Sequence, residues 1–303
     1  MNNDKILVTG KSGTVGSNFD FGEGFRSFHY DLTNYNAVYR LMSDYLPTSI
    51  VHCAARVGGL GVHMKYKKEL FYDNMLMNMN VLEVARQRDV KRVLSFLSTC
   101  IYSDRAQQPY TEKNIHDFEP FPEHYPYGFA KRMLEIQSRI YYEQYGLKYN
   151  CVIPTNVYGP HDDFNTETGH VIGVLIHKCL KAKNENKNFE VWGDGKQERE
   201  FIYAKDVANL TYWALYNYLD KEPLIFSNNQ TISIKEIAEI IADTLELQTK
   251  IVFDTSKPTG QVKRTVSGNK LKSIYPEFVF TPIEAGIRAT VDWFVSNYET
   301  ARK

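Results

Sequence analysis

The stretch Lys5-Ile6-Leu7-Val8-Thr9-Gly10-Lys11-Ser12-Gly13-Thr14-Val15-Gly16 decides the fold. An apolar run of strand length leads straight into Gly-x-x-Gly-x-x-Gly. In a βα unit that spacing provides a tight turn at Gly10, close backbone approach to a pyrophosphate at Gly13, and close helix–strand packing at Gly16. A βα turn without a ligand needs fewer glycines, so the start of the chain reads as a dinucleotide-binding unit. The unit is short. Asp31-Leu32-Thr33 follows soon after Gly16, and Gly22 and Gly24 interrupt the gap. The spacing predicts a short helix from Thr14 to about Asp20 and a stub of strand from Phe25 to Tyr30. No acidic residue closes that strand to bind a ribose 2′-hydroxyl, whereas Lys11 and Arg26 suit a 2′-phosphate. This favours NADP, with NAD as the alternative.

The whole chain is compatible with one large domain or two ordinary ones. It has 303 residues, 43% hydrophobic and 24% charged, which argues against disorder. Lys plus Arg and Asp plus Glu are 36 each, so the chain lacks the basic excess of a nucleic-acid or anionic-membrane binder. No apolar run is long enough for a membrane span, and the opening residues fit no signal peptide. Cys53, Cys100, Cys151 and Cys179 lie far apart without a Cys-x-x-Cys pair, so neither a disulfide framework nor a structural zinc site is expected. The expected location is the cytosol, with reduced cysteines.

Further along, strands and helices alternate, as in a doubly wound parallel sheet. Asn34 to Tyr45 has helical spacing, Ser49 to Ala55 reads as a buried strand, Leu70 to Arg88 as a long amphipathic helix, and Val93 to Leu97 as the next strand. That strand ends at Ser98-Thr99-Cys100-Ile101-Tyr102, where open α/β sheets place ligands. Tyr127 and Lys131, four apart, share a face of the helix running to Tyr145. An ammonium beside a phenol lowers its pKa, so the pair suits proton transfer to a substrate oxygen. The spacing alone is weak; its position after the Ser98 strand end carries the reading. Towards the C-terminus, Ser233 to Leu245 reads as a helix with a Ser233–Glu236 capping box, Lys250 to Phe253 as a strand, and Pro282 to Tyr298 as a closing helix.

Taken together, Gly10-x-x-Gly13-x-x-Gly16, Asp31-Leu32, Ser98, Tyr127-x-x-x-Lys131, Asn156-Val157-Tyr158-Gly159-Pro160 and Val191-Trp192-Gly193-Asp194-Gly195 resemble the extended short-chain dehydrogenase/reductase superfamily. Arg199-Glu200-Phe201-Ile202-Tyr203 adds to the likeness. Within that superfamily the chain resembles the GDP-L-fucose synthase family, the GDP-4-keto-6-deoxy-mannose epimerase/reductases. The residues that carry this are Ala54-Ala55-Arg56-Val57-Gly58-Gly59, Ser98 to Tyr102, Pro154-Thr155-Asn156, Gly159 to Phe164, His170-Val171-Ile172, and Asp254-x-Ser256-Lys257-Pro258-x-Gly260.

The resemblance implies a Rossmann fold of the extended kind with a smaller, discontinuous α/β substrate domain. Residues 1–157 and about 199–226 would bind the dinucleotide; about 158–198 and 227–303 would bind the nucleotide sugar. It implies NADPH-dependent reduction of the C4 ketone of a GDP-4-keto sugar, with Tyr127 as proton donor, Lys131 lowering its pKa and holding the nicotinamide ribose, and Ser98 donating a hydrogen bond to the same oxygen. Sugar-nucleotide dehydratases carry an Asp-Glu pair just after this strand-end hydroxyl. Here Thr99, Cys100 and Ile101 stand there, so dehydration is disfavoured. Cys100 and His170 would instead move protons at C3 or C5, next to a ketone that stabilises the enolate. Cofactor contacts are implied for Gly10, Ser12, Gly13, Thr14, Val15, Gly16, Asp31, Leu32, Ala54, Thr99, Tyr127, Lys131, Pro154, Asn156, Val157 and His170. Substrate contacts are implied for Asn156, Lys178, Trp192 and Arg199, with Lys178 standing where the family typically has Arg. A reductase without epimerisation, acting on a GDP-4-keto-heptose, and a non-catalytic NADP(H) sensor remain alternatives. His161-Asp162-Asp163 reads as a solvated loop, and no metal is expected. A homodimer through Leu70–Arg88 and Lys131–Tyr145 is expected, in keeping with the family.

Overall fold

The glycine-rich start folds around its backbone. β1 (Ile6–Thr9) ends on Gly10, whose φ is +74° and where a Cβ would lie 2.7 Å from Ala54 N. Gly16 is tighter still: a Cβ there would meet Gly10 O at 2.3 Å and Lys11 Cα at 2.6 Å. Both obstacles are backbone, which cannot swing aside. Gly16→Ala is therefore expected to cost about 1–3 kcal/mol by overpacking, read as a lower urea midpoint.

The computed structural model describes residues 4–19, 25–26, 28–257 and 261–303, the side chains of Phe25 and Arg26 excepted. After β1 come β2 (Phe25–Arg26), α1 (Tyr35–Tyr45), β3 (Ser49–His52), α2 (Leu60–Lys65), α3 (Lys67–Gln87), β4 (Arg92–Phe96), α4 (Tyr125–Tyr145) and β5 (Lys148–Pro154). Then follow β6 (Asn156–Tyr158), α5 (Val171–Glu185), β7 (Phe189–Trp192), β8 (Glu198–Tyr203), α6 (Ala204–Asn217) and β9 (Leu224–Phe226). The chain closes with β10 (Thr231–Ser233), α7 (Ile234–Thr244), β11 (Ile251–Asp254), β12 (Lys263–Arg264), α8 (Asn269–Ile274) and α9 (Ile283–Ser296). Among the described residues no helix is long and apolar enough to cross a membrane.

Six strands form one parallel sheet in the order β2-β1-β3-β4-β5-β9. Successive residues of each strand point to opposite faces, and both faces are covered. Leu7, Ile50, Val93, Cys151 and Ile153 pack under α1, α3 and α4, while Ile6, Val8, Val51, Leu94 and Val152 pack under α6 and α8. Burial on two sides explains why these strands read as unbroken apolar runs rather than alternating ones. Strand order reverses between β1 and β3, so a crevice opens beyond their carboxyl ends.

The remaining strands form two small sheets, β10-β8-β12 with β6 beside β8, and β11-β7. Their core draws on Ile176 and Cys179 of α5, Ile237 and Ile241 of α7, and Val291 and Phe294 of α9. The expected capping box of α7 is present: Ser233 Oγ accepts from Glu236 N at 3.1 Å, and Ser233 N donates to Glu236 Oε2 at 2.9 Å. It satisfies two amide groups that the first turn leaves open.

One expected piece is smaller than the sequence suggests. Among the described residues, the helix expected from Thr14 to about Asp20 is a single 3-10 turn, Gly16–Asn18, and the strand expected over Phe25 to Tyr30 is β2 alone. Asn18 accounts for the early stop. Its Nδ2 donates to Thr14 O at 2.7 Å and to Pro160 O at 3.2 Å, tying the turn to a distant loop. Phe19 then turns into the core. A side-chain amide that takes up backbone carbonyls offers an alternative to the helical ladder. Gly22, Gly24, the Arg26 side chain and Pro258–Gly260, all invoked from the sequence, lie outside the described residues.

Candidate active site

A cleft of about 1480 Å³ opens at the carboxyl ends of β1, β3, β4 and β5, and apart from Arg26, whose side chain is not described, the residues proposed from sequence for cofactor, substrate or catalysis line it. Ser98 is the first residue past Leu97 at the end of β4. Its Oγ accepts from Cys100 N at 3.2 Å, capping the 3-10 turn Thr99–Ile101. The hydroxyl proton is left for another acceptor, so the cap and a donor role coexist.

Tyr127 and Lys131 lie on consecutive turns of α4, facing the cleft, and both are buried. Lys131 Nζ donates to Phe96 O at 2.6 Å and sits 5.6 Å from the Tyr127 ring centroid. Contrary to the sequence expectation, the phenol is not acidified in this arrangement. Burial, and secondarily Cys100, raise the Tyr127 pKa above its usual value. The ammonium spends its close contact on a carbonyl, and desolvation prevails over its attraction for the phenolate. Tyr127 is thus held as a protonated phenol, the form that gives a proton.

Burial also pushes Lys131 down from 10.5 to about 8, against weaker pulls upward from Cys151 and Cys53. The unfolded chain therefore binds more protons than the folded one between about pH 8 and 10.5. Stability is penalised below that window and recovers as pH rises through it, by about 3 kcal/mol in all. Urea unfolding should show this as a wild-type stability that rises relative to that of Lys131→Met across the window, the opposite effect of the buried cysteines being common to both.

Beneath the lysine runs a buried relay. Asn78 Oδ1 lies 3.0 Å from His52 Nε2, and His52 Nδ1 lies 2.8 Å from Thr9 Oγ1, which accepts from Ala54 N. Because Asn78 Oδ1 only accepts, Nε2 carries the ring proton and Nδ1 accepts from the Thr9 hydroxyl. Burial and the nearby Lys131 hold His52 at about 3, so it stays neutral. The relay braces the ends of β1 and β3 against α3 and α4.

Cys100 is half-buried, and Arg264 Nη1 lies 4.0 Å from its sulfur. The contact sets a guanidinium charge beside the sulfur. His170, immediately before α5, is exposed to the cleft. The other three cysteines behave as packing groups: burial raises Cys53, and it raises Cys151 and Cys179 to about 12.

At the far end of the cleft Trp192 is 46% exposed, which removes the alternative that it is core packing in β7. Lys178 Nζ lies 4.6 Å and Lys257 Nζ 5.9 Å from its ring centroid. Arg199 is pinned by Glu198 O at 2.8 Å and Gln261 O at 2.5 Å. Burial, with Arg264 nearby, lowers it to about 10. Two guanidiniums close together suit an anion bearing several oxygens. Asn156 donates to Glu200 O at 2.7 Å and joins this end to the sheet. Lys181, Lys183 and Lys187 are exposed on and just beyond α5, as expected of a solvated face.

The His161-Asp162-Asp163 loop corrects the sequence reading. Asp162 is buried, and its Oδ1 accepts from Thr14 Oγ1 at 2.9 Å and from Asp163 N at 2.8 Å. Burial raises its pKa. The loop fastens the glycine turn to the smaller sheets and is not a free solvated segment; only His161 is exposed, its ring 4.5 Å from that of Trp293. Sequence reasoning also missed His63, His124 and Arg264, which share the wall with Cys100. His124 stands three residues before Tyr127, a proximity that offered a signal. His63 and Arg264 belong to no spacing motif and come into the site only through folding.

The NAD dependent epimerase/dehydratase family matches the chain over residues 20–227. A GDP-L-fucose synthase of Dictyostelium discoideum is 42% identical, covering 98% of this chain and 97% of the relative. One from Escherichia coli strain K12 is 30% identical over the full length of both. The crystal structure of a GDP-L-fucose synthetase from Naegleria fowleri bound to NADP is 38% identical, with a TM-score of 0.94 over 100% of this chain and 96% of that one.

Proposed function

Because the chain belongs to the NAD dependent epimerase/dehydratase family, we propose that its cleft reduces the C4 ketone of a GDP-linked 4-keto sugar with NADPH, epimerising the sugar at C3 or C5 first. What carries the reading is the meeting of Ser98, Cys100, Tyr127 and Lys131 at one strand end beside the glycine turn. The turn suits a dinucleotide: backbone fills the space where side chains at Gly10 and Gly16 would stand, leaving amides and open volume towards the cleft. Residues from Gly10 to Gly16, with Asp31, Leu32, Ala54, Thr99, Pro154, Asn156 and Val157, would hold NADP(H), and Lys11 would face the 2′-phosphate. When bound, NADPH supplies the hydride for C4.

Lys178, Trp192 and Arg199 seat the guanosine diphosphate, and Asn156 orients the sugar between the two ligands. Cys100 takes the proton next to the ketone, and the electron pair is held as an enolate whose oxygen receives hydrogen bonds from Ser98 and Tyr127. His170 returns a proton on the opposite face. In the reduction that follows, Tyr127 gives its phenolic proton to O4, and Lys131 offsets the charge left on the phenolate. The test is direct: purified enzyme with GDP-4-keto-6-deoxy-mannose should consume NADPH absorbance. No oxidation of NADPH or NADH by any GDP-linked 4-keto hexose or heptose would end the reading.

The same reading divides the chain into a dinucleotide part, 1–157 and about 199–226, and a sugar-nucleotide part made of the remainder. It places the protein in the cytosol, in keeping with its four free cysteines. It also makes the enzyme a homodimer through α3 and α4, whose outer faces expose Phe71, Tyr72, Met79 and Ile140. Sedimentation at micromolar concentration should show twice the chain mass, and Met79→Glu with Ile140→Glu should shift it to the monomer.

A further inference from the structure

Three elements distant in sequence bring a sulfur and two imidazoles together. Cys100 lies in the turn after β4, His63 in α2 and His124 just before α4. One nitrogen of each ring and the Cys100 sulfur all lie within 4.8 Å of one another. The two rings meet edge to face with centroids 4.4 Å apart. His63 is 2% exposed, and the Nδ1 atoms of both His63 and His124 are buried without a hydrogen-bond partner among the described residues. Buried ring nitrogens are almost always paired, and two rings with such an atom beside one thiol call for a shared ligand. The reactions assigned to the cleft use neither histidine.

We propose that His63, Cys100 and His124 form a Zn2+ site whose filling withdraws Cys100 from proton transfer. The donor set selects the ion: a thiolate and imidazoles suit zinc, whereas magnesium and calcium take oxygen ligands. Three protein ligands leave a fourth position, and all three residues line the cleft, so that position faces the substrate. Zinc bonds of about 2.0–2.3 Å would bring the donors to roughly 3.5 Å from one another, a contraction within reach of rotamer adjustment at the half-buried His124. Arg264, 4.0 Å from the sulfur, opposes a second cation there. That opposition makes binding reversible, as a regulatory site requires. A thiolate that donates a pair to zinc loses most of its basicity and no longer takes up a C–H proton at a useful rate. This consequence rests on the proposed role of Cys100 as base; the metal site itself does not.

Cobalt is the probe. Titrated into the reduced full-length enzyme without nucleotide, Co2+ should give a thiolate-to-metal charge-transfer band at one equivalent, and Zn2+ should bleach it. Cys100→Ser should abolish the band. His63→Asn with His124→Asn should weaken Zn2+ more than about 100-fold, since losing even an outer-shell partner costs 10–100-fold. Should the double variant misfold, His124→Gln alone, at the half-buried ligand, should weaken it at least tenfold. Absence of the band, or equal zinc affinity in wild type and histidine variants, would overturn the site. In deuterated water, zinc should also stop deuterium entry at C3 and C5 in the wild type, at concentrations that spare His124→Gln. If the band forms and exchange continues, the metal site stands and the role of Cys100 as base falls.

Discussion

Tyr127→Phe is expected to lower kcat for C4 reduction by about 10²–10⁴-fold, the usual worth of a positioned proton donor, with NADPH affinity changed only a few-fold. The split follows from where the phenol sits. Its ring is buried between His63 and Lys131, with centroid and ammonium distances of 5.6 Å in both cases, and Phe keeps that packing. What is lost is one O–H, held protonated because burial raises its pKa. A reduction at C4 places negative charge on O4 as the hydride arrives. Without a donor the Ser98 hydroxyl alone must stabilise that charge. Stopped-flow loss of NADPH absorbance, with cofactor binding followed by fluorescence, separates the two terms. A variant retaining more than a tenth of wild-type kcat would remove Tyr127 from the proposed role. Lys131→Met should fall in the same class for turnover, while losing the buried ammonium's alkaline contribution to stability.

The parallel sheet and the glycine turn were legible because their causes are local. Apolar runs such as Lys5 to Thr9 and Val93 to Leu97 are what a strand covered on both faces requires, and Gly10 and Gly16 stand where no side chain fits. The short 3-10 turn after Gly16 was not legible, since its end is set by Asn18 reaching Pro160, a partner far along the chain. Asp162 misread for the same reason: a polar Gly-Pro-His-Asp-Asp run looks solvated until Thr14 is brought against it. The Tyr127–Lys131 pair was placed correctly but its electrostatics were inverted. Spacing on a helix reports proximity, whereas pKa depends on burial and on Phe96 O, which takes the Lys131 hydrogen bond. His63, His124 and Arg264 meet Cys100 only through tertiary contacts, and no pattern in sequence joins them.

Cys100→Ser is the second large effect, and it tests the part of the chemistry that distinguishes an epimerase from a plain reductase. In deuterated water the wild type should incorporate deuterium at C3 or C5 of GDP-4-keto-6-deoxy-mannose even when NADPH is withheld, because enolisation needs no hydride. The serine variant should lose this exchange by about 10²–10⁴-fold, the range for loss of a general base. A hydroxyl is close in size to a thiol but is a much weaker acid, and it is the thiolate form of a cysteine that reacts. Reduction of a ketone already in the product configuration should continue in the variant, since Ser98, Tyr127 and Lys131 are intact and Ser98 keeps its cap on the backbone N–H of residue 100. The two readouts therefore part company only if one cleft performs two separable steps. Exchange that persists in the variant would assign the base elsewhere. Wild-type turnover with no deuterium at either carbon would leave a reductase whose pocket merely keeps the cysteine.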